Sequence, residues 1–236
     1  MRNTLTIAQR ELYAYFVSPI AYVVAAAYLV IGGYLFSLIL FYSREATMRF
    51  TFGNLNFILL LIAPMITMRL LAEERRSGTI ELLLTSPVRD WEVVAGKFLA
   101  SLTLFLAIVA LTLVYPLVLF VFGSPDSGPI VAGYLSLLLA GASYLAVGLF
   151  TSSLSSNQIV AAVLGTVLLL VLWLADAAGS FAGGNLSSVL SYISLANHSN
   201  DMMRGVIDTK DVVYYVSFIA TFLFLTVRSL ESRRWS

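Results

Sequence analysis

Chemistry has few places to sit in this chain. The densest charge is Glu73-Glu74-Arg75-Arg76, which leads into Ser77-Gly78-Thr79-Ile80-Glu81-Leu82-Leu83-Leu84-Thr85-Ser86-Pro87. Carboxylates beside guanidiniums can pair or grip another protein, but no adjacent histidine or cysteine completes an acid–base or nucleophilic set. His198 is the sole histidine. One imidazole cannot build a histidine-rich metal site, and it reads as a satisfied or solvated surface residue. Asp176 ends an apolar run and reads as an interfacial acid in water rather than a step in an ion path. Gly96-Lys97 lacks the upstream glycine of a phosphate-cradling loop and leads into an apolar helix. Neither H-E-x-x-H nor G-x-S-x-G occurs. The chain has no recognisable means of hydrolysing ATP, and nothing marks it as an enzyme by itself.

The elements that must place these residues are apolar. Of 236 residues, 59% are hydrophobic and 11% charged, with mean hydropathy +0.90. A soluble domain carries roughly 25% charged residues, so this composition predicts an integral membrane protein, all-α, in one bundle over residues 1–236. A formal net charge of +1 offers nothing to nucleic acid. The absence of cysteine removes disulfides and thiolate metal sites. Six apolar runs, at about 20–41, 52–71, 93–122, 130–150, 159–175 and 212–227, meet the length a membrane helix needs. Pro64 predicts a kink in the second run, and Pro116 lies near the outer end of the third. No run carries an ionisable residue at its centre, which argues against an ion-coupled carrier. Glycines and alanines at Gly32-Gly33, Gly141-Ala142, Gly148, Ala161-Ala162 and Gly165 predict close helix packing within the bundle.

Ahead of the first run, Leu5, Ala8, Leu12, Tyr15 and Phe16 recur at helical spacing and Ile7 falls off their face. This predicts an interfacial helix over residues 1–18. Arg2, Arg10, Arg69, Arg75, Arg76, Arg89, Lys97, Arg228, Arg233 and Arg234 gather on one side of the runs. Only Arg44, Arg49, Arg204 and Lys210 fall on the other, so the positive-inside rule puts both termini in the cytoplasm of a multi-pass cell-membrane protein. The long outer link, about 176–211, contains Gly179, Gly183 and Gly184, which are expected to break the chain after the fifth run. Leu186, Val189, Leu190 and Ile193 then predict one short helix, and Ser199 to Arg204 another, ended by Gly205. Asp208 is a natural N-cap for the last span, with Asp211 placed to favour its dipole.

The charged stretch falls on the cytoplasmic side, between the second and third runs. The second span is expected to extend to about Arg76 and break at Ser77-Gly78. A short amphipathic helix then runs from about Thr79 to Leu84, and Pro87 starts the next helix, where its missing N–H costs nothing. That helix either rests on lipid or docks into a soluble partner.

The order Arg76-Ser77-Gly78-Thr79-Ile80-Glu81-Leu82-Leu83-Leu84-Thr85-Ser86-Pro87 resembles the R-x-x-G-T-x-E-x-L-L-x-x-P pattern of ABC-2 type ABC transporter permeases. The likeness covers the whole chain. It is closest to the permeases related to gliding-motility and nitrous-oxide-reductase maturation transporters, through Gly205-Val206-Ile207-Asp208 and the Leu230–Trp235 tail. The resemblance implies a coupling helix between spans two and three, seated in a separate cytoplasmic ABC ATPase subunit. Two ATPase chains would bind the ATP and Mg, and a second permease chain, identical or related, would complete the transporter. Arg76, Gly78, Thr79, Glu81, Leu82, Leu83 and Leu84 would form the docking element, with Arg10 and Glu11 of the N-terminal helix near the ATPase. Ser199, Asp201 and Met202 would help to gate the outer exit. The implied activity is ATP-driven export. The competing readings are a non-transporting anchor for an ATPase and, more distantly, a channel or secondary carrier.

Overall fold

The computed structural model describes residues 2–79, 88–181 and 185–233. The described chain is helical: α1 (Arg2–Val17), α2 (Pro19–Ser43), α3 (Arg49–Thr67), α4 (Arg69–Arg76), α5 (Asp90–Thr112) and α6 (Val114–Phe122) come first. They are followed by α7 (Ser127–Leu154), α8 (Gln158–Phe181), α9 (Asn185–Ile193), α10 (Leu195–Met203) and α11 (Thr209–Arg233). Six helical stretches are long and apolar enough to cross a membrane, with α3–α4 and α5–α6 each counting as one. This is an all-α, multi-pass membrane protein.

Local sequence sets several helix ends. Pro19 starts α2 after an extended Ser18, where the fixed φ suits the first turn. The Asp126 carboxylate caps α7 by accepting from the Gly128 N–H at 3.1 Å. Asp208 caps α11 as expected, its Oδ1 accepting from the Lys210 N–H at 3.0 Å. Gly205 has φ +92 and ends α10, with its N–H on the Met202 carbonyl.

The centre of the bundle is the seam between α3 and α7, the two most buried spans. Small residues make the seam possible. A Cβ added at Gly141 would lie 2.9 Å from the Leu59 side chain of α3, and one at Gly148 would lie 2.0 Å from Thr67 Oγ1. The packing reading of these glycines therefore holds at both positions. Of the remaining spans, α5–α6 is intermediate in burial, while α2, α8 and α11 turn most of their apolar surface outward, as helices bathed in lipid do.

Three details differ from the sequence reading. The second span breaks at Met68, one turn beyond Pro64. There the Ser152 hydroxyl of α7 enters the helix ladder, accepting from Leu71 and Ala72 N–H at 3.1 Å each and donating to the Met68 carbonyl at 2.8 Å. An inserted side chain is a sufficient cause of a break. Gly179 does not interrupt α8; it lets α9 approach, because a Cβ there would meet the Ser187 carbonyl oxygen at 3.2 Å. Gly183 and Gly184 lie outside the described residues. Finally, the protein-facing side of α1 is Thr4, Ile7, Glu11 and Tyr15, whereas Leu5 and Phe16 are exposed. Ile7 packs on Gly96 so closely that a Cβ there would lie 2.9 Å from it. The apolar stripe of α1 and its docking face share only Tyr15.

A charged junction at the foot of the second span

Helix α4 is an eight-residue stub joined directly to the charged stretch. Leu70, Leu71 and Ala72 are fully buried and fix its inner side. Its other side carries Glu74 into a cluster of four charges. Lys97, on the first turns of α5, is 0% exposed. Its ammonium has three hydrogens and meets three acceptors: Glu11 Oε1 at 3.0 Å, Glu74 Oε1 at 2.9 Å and the Leu70 carbonyl at 2.6 Å. Arg10 closes the ring from the outside, with Nη2 at 2.9 Å from both Glu11 Oε1 and Glu74 Oε1.

The charges alternate around this ring, and the two cations and two carboxylates sum to zero. A buried ammonium is tolerable only when it is paired and hydrogen-bonded throughout, and Lys97 meets that condition. Burial alone pushes the Glu11 carboxyl up. Lys97 and Arg10 outweigh it and hold Glu11 below the usual carboxylate range. The Arg10 guanidinium is held above its ordinary value, first by its hydrogen bond to Glu11.

Further contacts hold the same stub. The Tyr15 hydroxyl donates to the Ile66 carbonyl at 2.7 Å, and its ring lies under the Arg69 guanidinium, 5.4 Å from the centroid. Arg75 donates to the Ser153 carbonyl at the end of α7, and Gln158 at the start of α8 donates to Glu73. Ser153 Oγ in turn donates to Ser229 of α11 at 3.0 Å. One end of the bundle therefore ties α1, α5, α7 and α8 to α4, with α11 joined through Ser153. No group here is placed to break a bond in a substrate. The arrangement is a braced helix end that leads into Arg76-Ser77-Gly78.

The expected docking residues divide at that point. Arg76 is exposed at the last position of α4, as expected for the helix end. Gly78 adopts φ +72, a left-handed turn that a side chain would strain. Thr79 Oγ1 lies 2.9 Å from Ser77 Oγ. Glu81, Leu82, Leu83 and Leu84 lie outside the described residues. Arg10 is largely exposed, but Glu11 turns inward to Lys97. Ser199, Asp201 and Met202 sit apart from the junction in α10, where Met202 is fully buried and Ser199 Oγ donates to the Ala196 carbonyl at 2.9 Å.

The sequence reading missed Lys97 and Ser152. Lys97 stood out as half of an incomplete phosphate loop and as one of the basic residues that set the orientation, not as a buried ion-pair partner. Its usable signal was a lone lysine one turn inside an apolar run, facing a chain whose acids cluster at Glu73-Glu74 and Glu11. Ser152 carried no signal beyond a polar, uncharged helix end.

Residues 25–227 match the model of a family described as ABC-2 family transporter protein. A stretch of 87 residues is 32% identical to the "Probable multidrug ABC transporter permease YbhR" of Escherichia coli (strain K12), covering 37% of this chain and 23% of that protein. The protein of the same name from Escherichia coli O157:H7 matches to the same extent. The match spans less than a quarter of the relatives' length.

Proposed function

We propose, from the premise that this chain belongs to the ABC-2 transporter family, that it is the membrane-spanning subunit of an ABC transporter driven by a separate ATPase. The observation that carries this reading is the charged junction. The stub α4 leads straight into the segment bearing the family-like motif, and it is braced by α1 and α5 through Lys97, Glu11, Glu74 and Arg10. A docked helix transmits a push only if its root is stiff and fixed to more than one span. In this reading the junction faces the cytoplasm, and Thr79, Glu81, Leu82, Leu83 and Leu84 seat in a groove of the ATPase. Arg76 and Gly78 form the hinge, and Arg10 presents its exposed side to the same partner. ATP and Mg belong to the ATPase dimer, and a second permease chain completes the path. Export is the direction that the family likeness favours, with Ser199, Asp201 and Met202 in the cap over the outer exit.

The test is co-purification with an ABC ATPase followed by transport in vesicles. Glu81→Lys should leave the chain inserted in the membrane and abolish transport-coupled ATP hydrolysis. Unchanged ATP-dependent transport by that variant would count against docking at this segment.

A further inference from the structure

At the end of the bundle away from the junction, α9 and α10 fold against the start of α11 around the sole histidine. His198 is 6% exposed and Asp211 1% exposed. His198 Nδ1 lies 2.6 Å from Asp211 Oδ1, and Nε2 lies 2.9 Å from the Tyr192 carbonyl oxygen. Tyr214 stacks on the imidazole with centroids 3.8 Å apart and planes at 18°. Tyr192 meets its edge at 5.6 Å. The hydroxyls of Tyr214 and Tyr215 donate to the Ile193 and Leu195 carbonyls at 2.6 and 2.9 Å, so the same two rings also hold the turn between α9 and α10.

The hydrogen count of this arrangement is fixed by its acceptors. A carbonyl oxygen only accepts, so Nε2 must carry hydrogen toward Tyr192. The contact from Nδ1 to a carboxylate oxygen also needs a hydrogen between them. The pair therefore holds two hydrogens, as imidazolium with carboxylate, and it is neutral overall. Loss of one proton to solvent leaves neutral imidazole beside a carboxylate. One of the two contacts then becomes lone pair against lone pair, and a net negative charge remains where Asp211 Oδ2 is buried without a hydrogen-bond partner. Such a charge is expensive in a site this buried.

The geometry points to a buried proton-binding site, formed by His198 and Asp211, that latches the α9–α10 hairpin to the last span. With the proton bound, Nε2 reaches back to α9 and Nδ1 holds α11. Without it the link is repulsive and the hairpin is released. The seated arrangement is thus favoured as pH falls and lost as pH rises. The other titratable groups around the ring are Tyr192 of α9, and Tyr214 and Tyr215 of α11, with Tyr144 of α7 in electrostatic reach of both α11 tyrosines. Lys210 bonds the Asp208 carboxylate at 3.1 Å on the exposed edge and lies in electrostatic reach of Asp211 and of Asp201, which is half-buried one turn along α10. Asp176 of α8 makes no ion pair or hydrogen bond with any of these groups among the described residues. The inference does not depend on an ATPase partner.

A single histidine makes the test direct. The full chain, labelled with 15N-histidine and placed in nanodiscs, gives one imidazole spectrum to follow over a pH series. Spin labels at Val189→Cys and Val213→Cys, in a chain with no cysteine of its own, report the spacing of α9 and α11. Both ring nitrogens should carry hydrogen while the hairpin is seated. One should lose it at the pH where the label spacing widens, and Asp211→Asn should move that transition to lower pH. The wild-type series needs no ring or carboxylate variant, so a misfolded Asp211→Asn does not rescue the idea. A nitrogen that goes bare while the label spacing stays fixed overturns the proposal, as does a transition that ignores Asp211→Asn.

Discussion

The two ends of the bundle both bury ionisable groups, and they do so in different ways. At the junction, Lys97 and Arg10 face Glu11 and Glu74, two cations against two carboxylates. At the opposite end, His198 and Asp211 make a pair whose hydrogen bonds require one proton. The first is a permanent brace and the second a titratable latch. A brace suits the root of an element that must push. A latch suits a cap that must part. The difference between them lies in the side chain that faces the carboxylates, a lysine at one end and a histidine at the other.

The comparison breaks most severely at Lys97. Lys97→Met leaves Glu11 and Glu74 facing each other without their buried cation, which should cost about 3–5 kcal/mol and show as a large drop in the unfolding midpoint in nanodiscs. Adding Glu11→Gln and Glu74→Gln to the same chain should recover most of that loss, since it is the uncompensated charge that is costly. A next-largest effect is expected at Ser152. Its hydroxyl serves three backbone groups in a buried site, so Ser152→Ala should destabilise by about 1–3 kcal/mol and speed amide exchange at Leu71 and Ala72.

Acid should separate the two ends. Glu11 is held below the ordinary carboxylate range, so its contribution is complete above that range and lost as pH falls through its depressed value. Below about pH 4, α1 should detach from α5, seen as faster exchange over residues 2–17, while the His198 latch, which already holds its proton, stays seated. The smallest effect is expected at Arg10, which is mostly exposed. Arg10→Gln should cost less than about 1 kcal/mol, and the loss should shrink further in salt.

Much of this architecture was legible in the sequence, because its signals are local. Apolar runs mark the spans, Gly78 and Gly205 mark turns that need positive φ, and Asp208 marks a helix start. The packing of α1 was not legible. Its two apolar demands, lipid and protein, overlap only at Tyr15, and a single stripe cannot say which is which. The burial of Lys97 was not legible either. Its partners lie 86 residues away at Glu11 and in the stub of the preceding span, and only the folded bundle brings them together. The same holds for Ser152, which acts on Leu71 from 81 residues away. His198 and Asp211 were each noticed, the one as a surface residue and the other as a dipole partner; their pairing depends on how the α9–α10 hairpin turns.

The central claim is that the segment rooted in the junction meets an ATPase and that the opposite end does not. The most direct measurement is photo-crosslinking in native membranes, with benzophenone on a cysteine at Leu83→Cys or, as the control, at Val189→Cys. The account predicts an adduct with an ATP-binding subunit from Leu83→Cys and none from Val189→Cys. An ATPase that co-purifies with the chain but leaves Leu83→Cys unlabelled, or that labels at Val189→Cys, would contradict it.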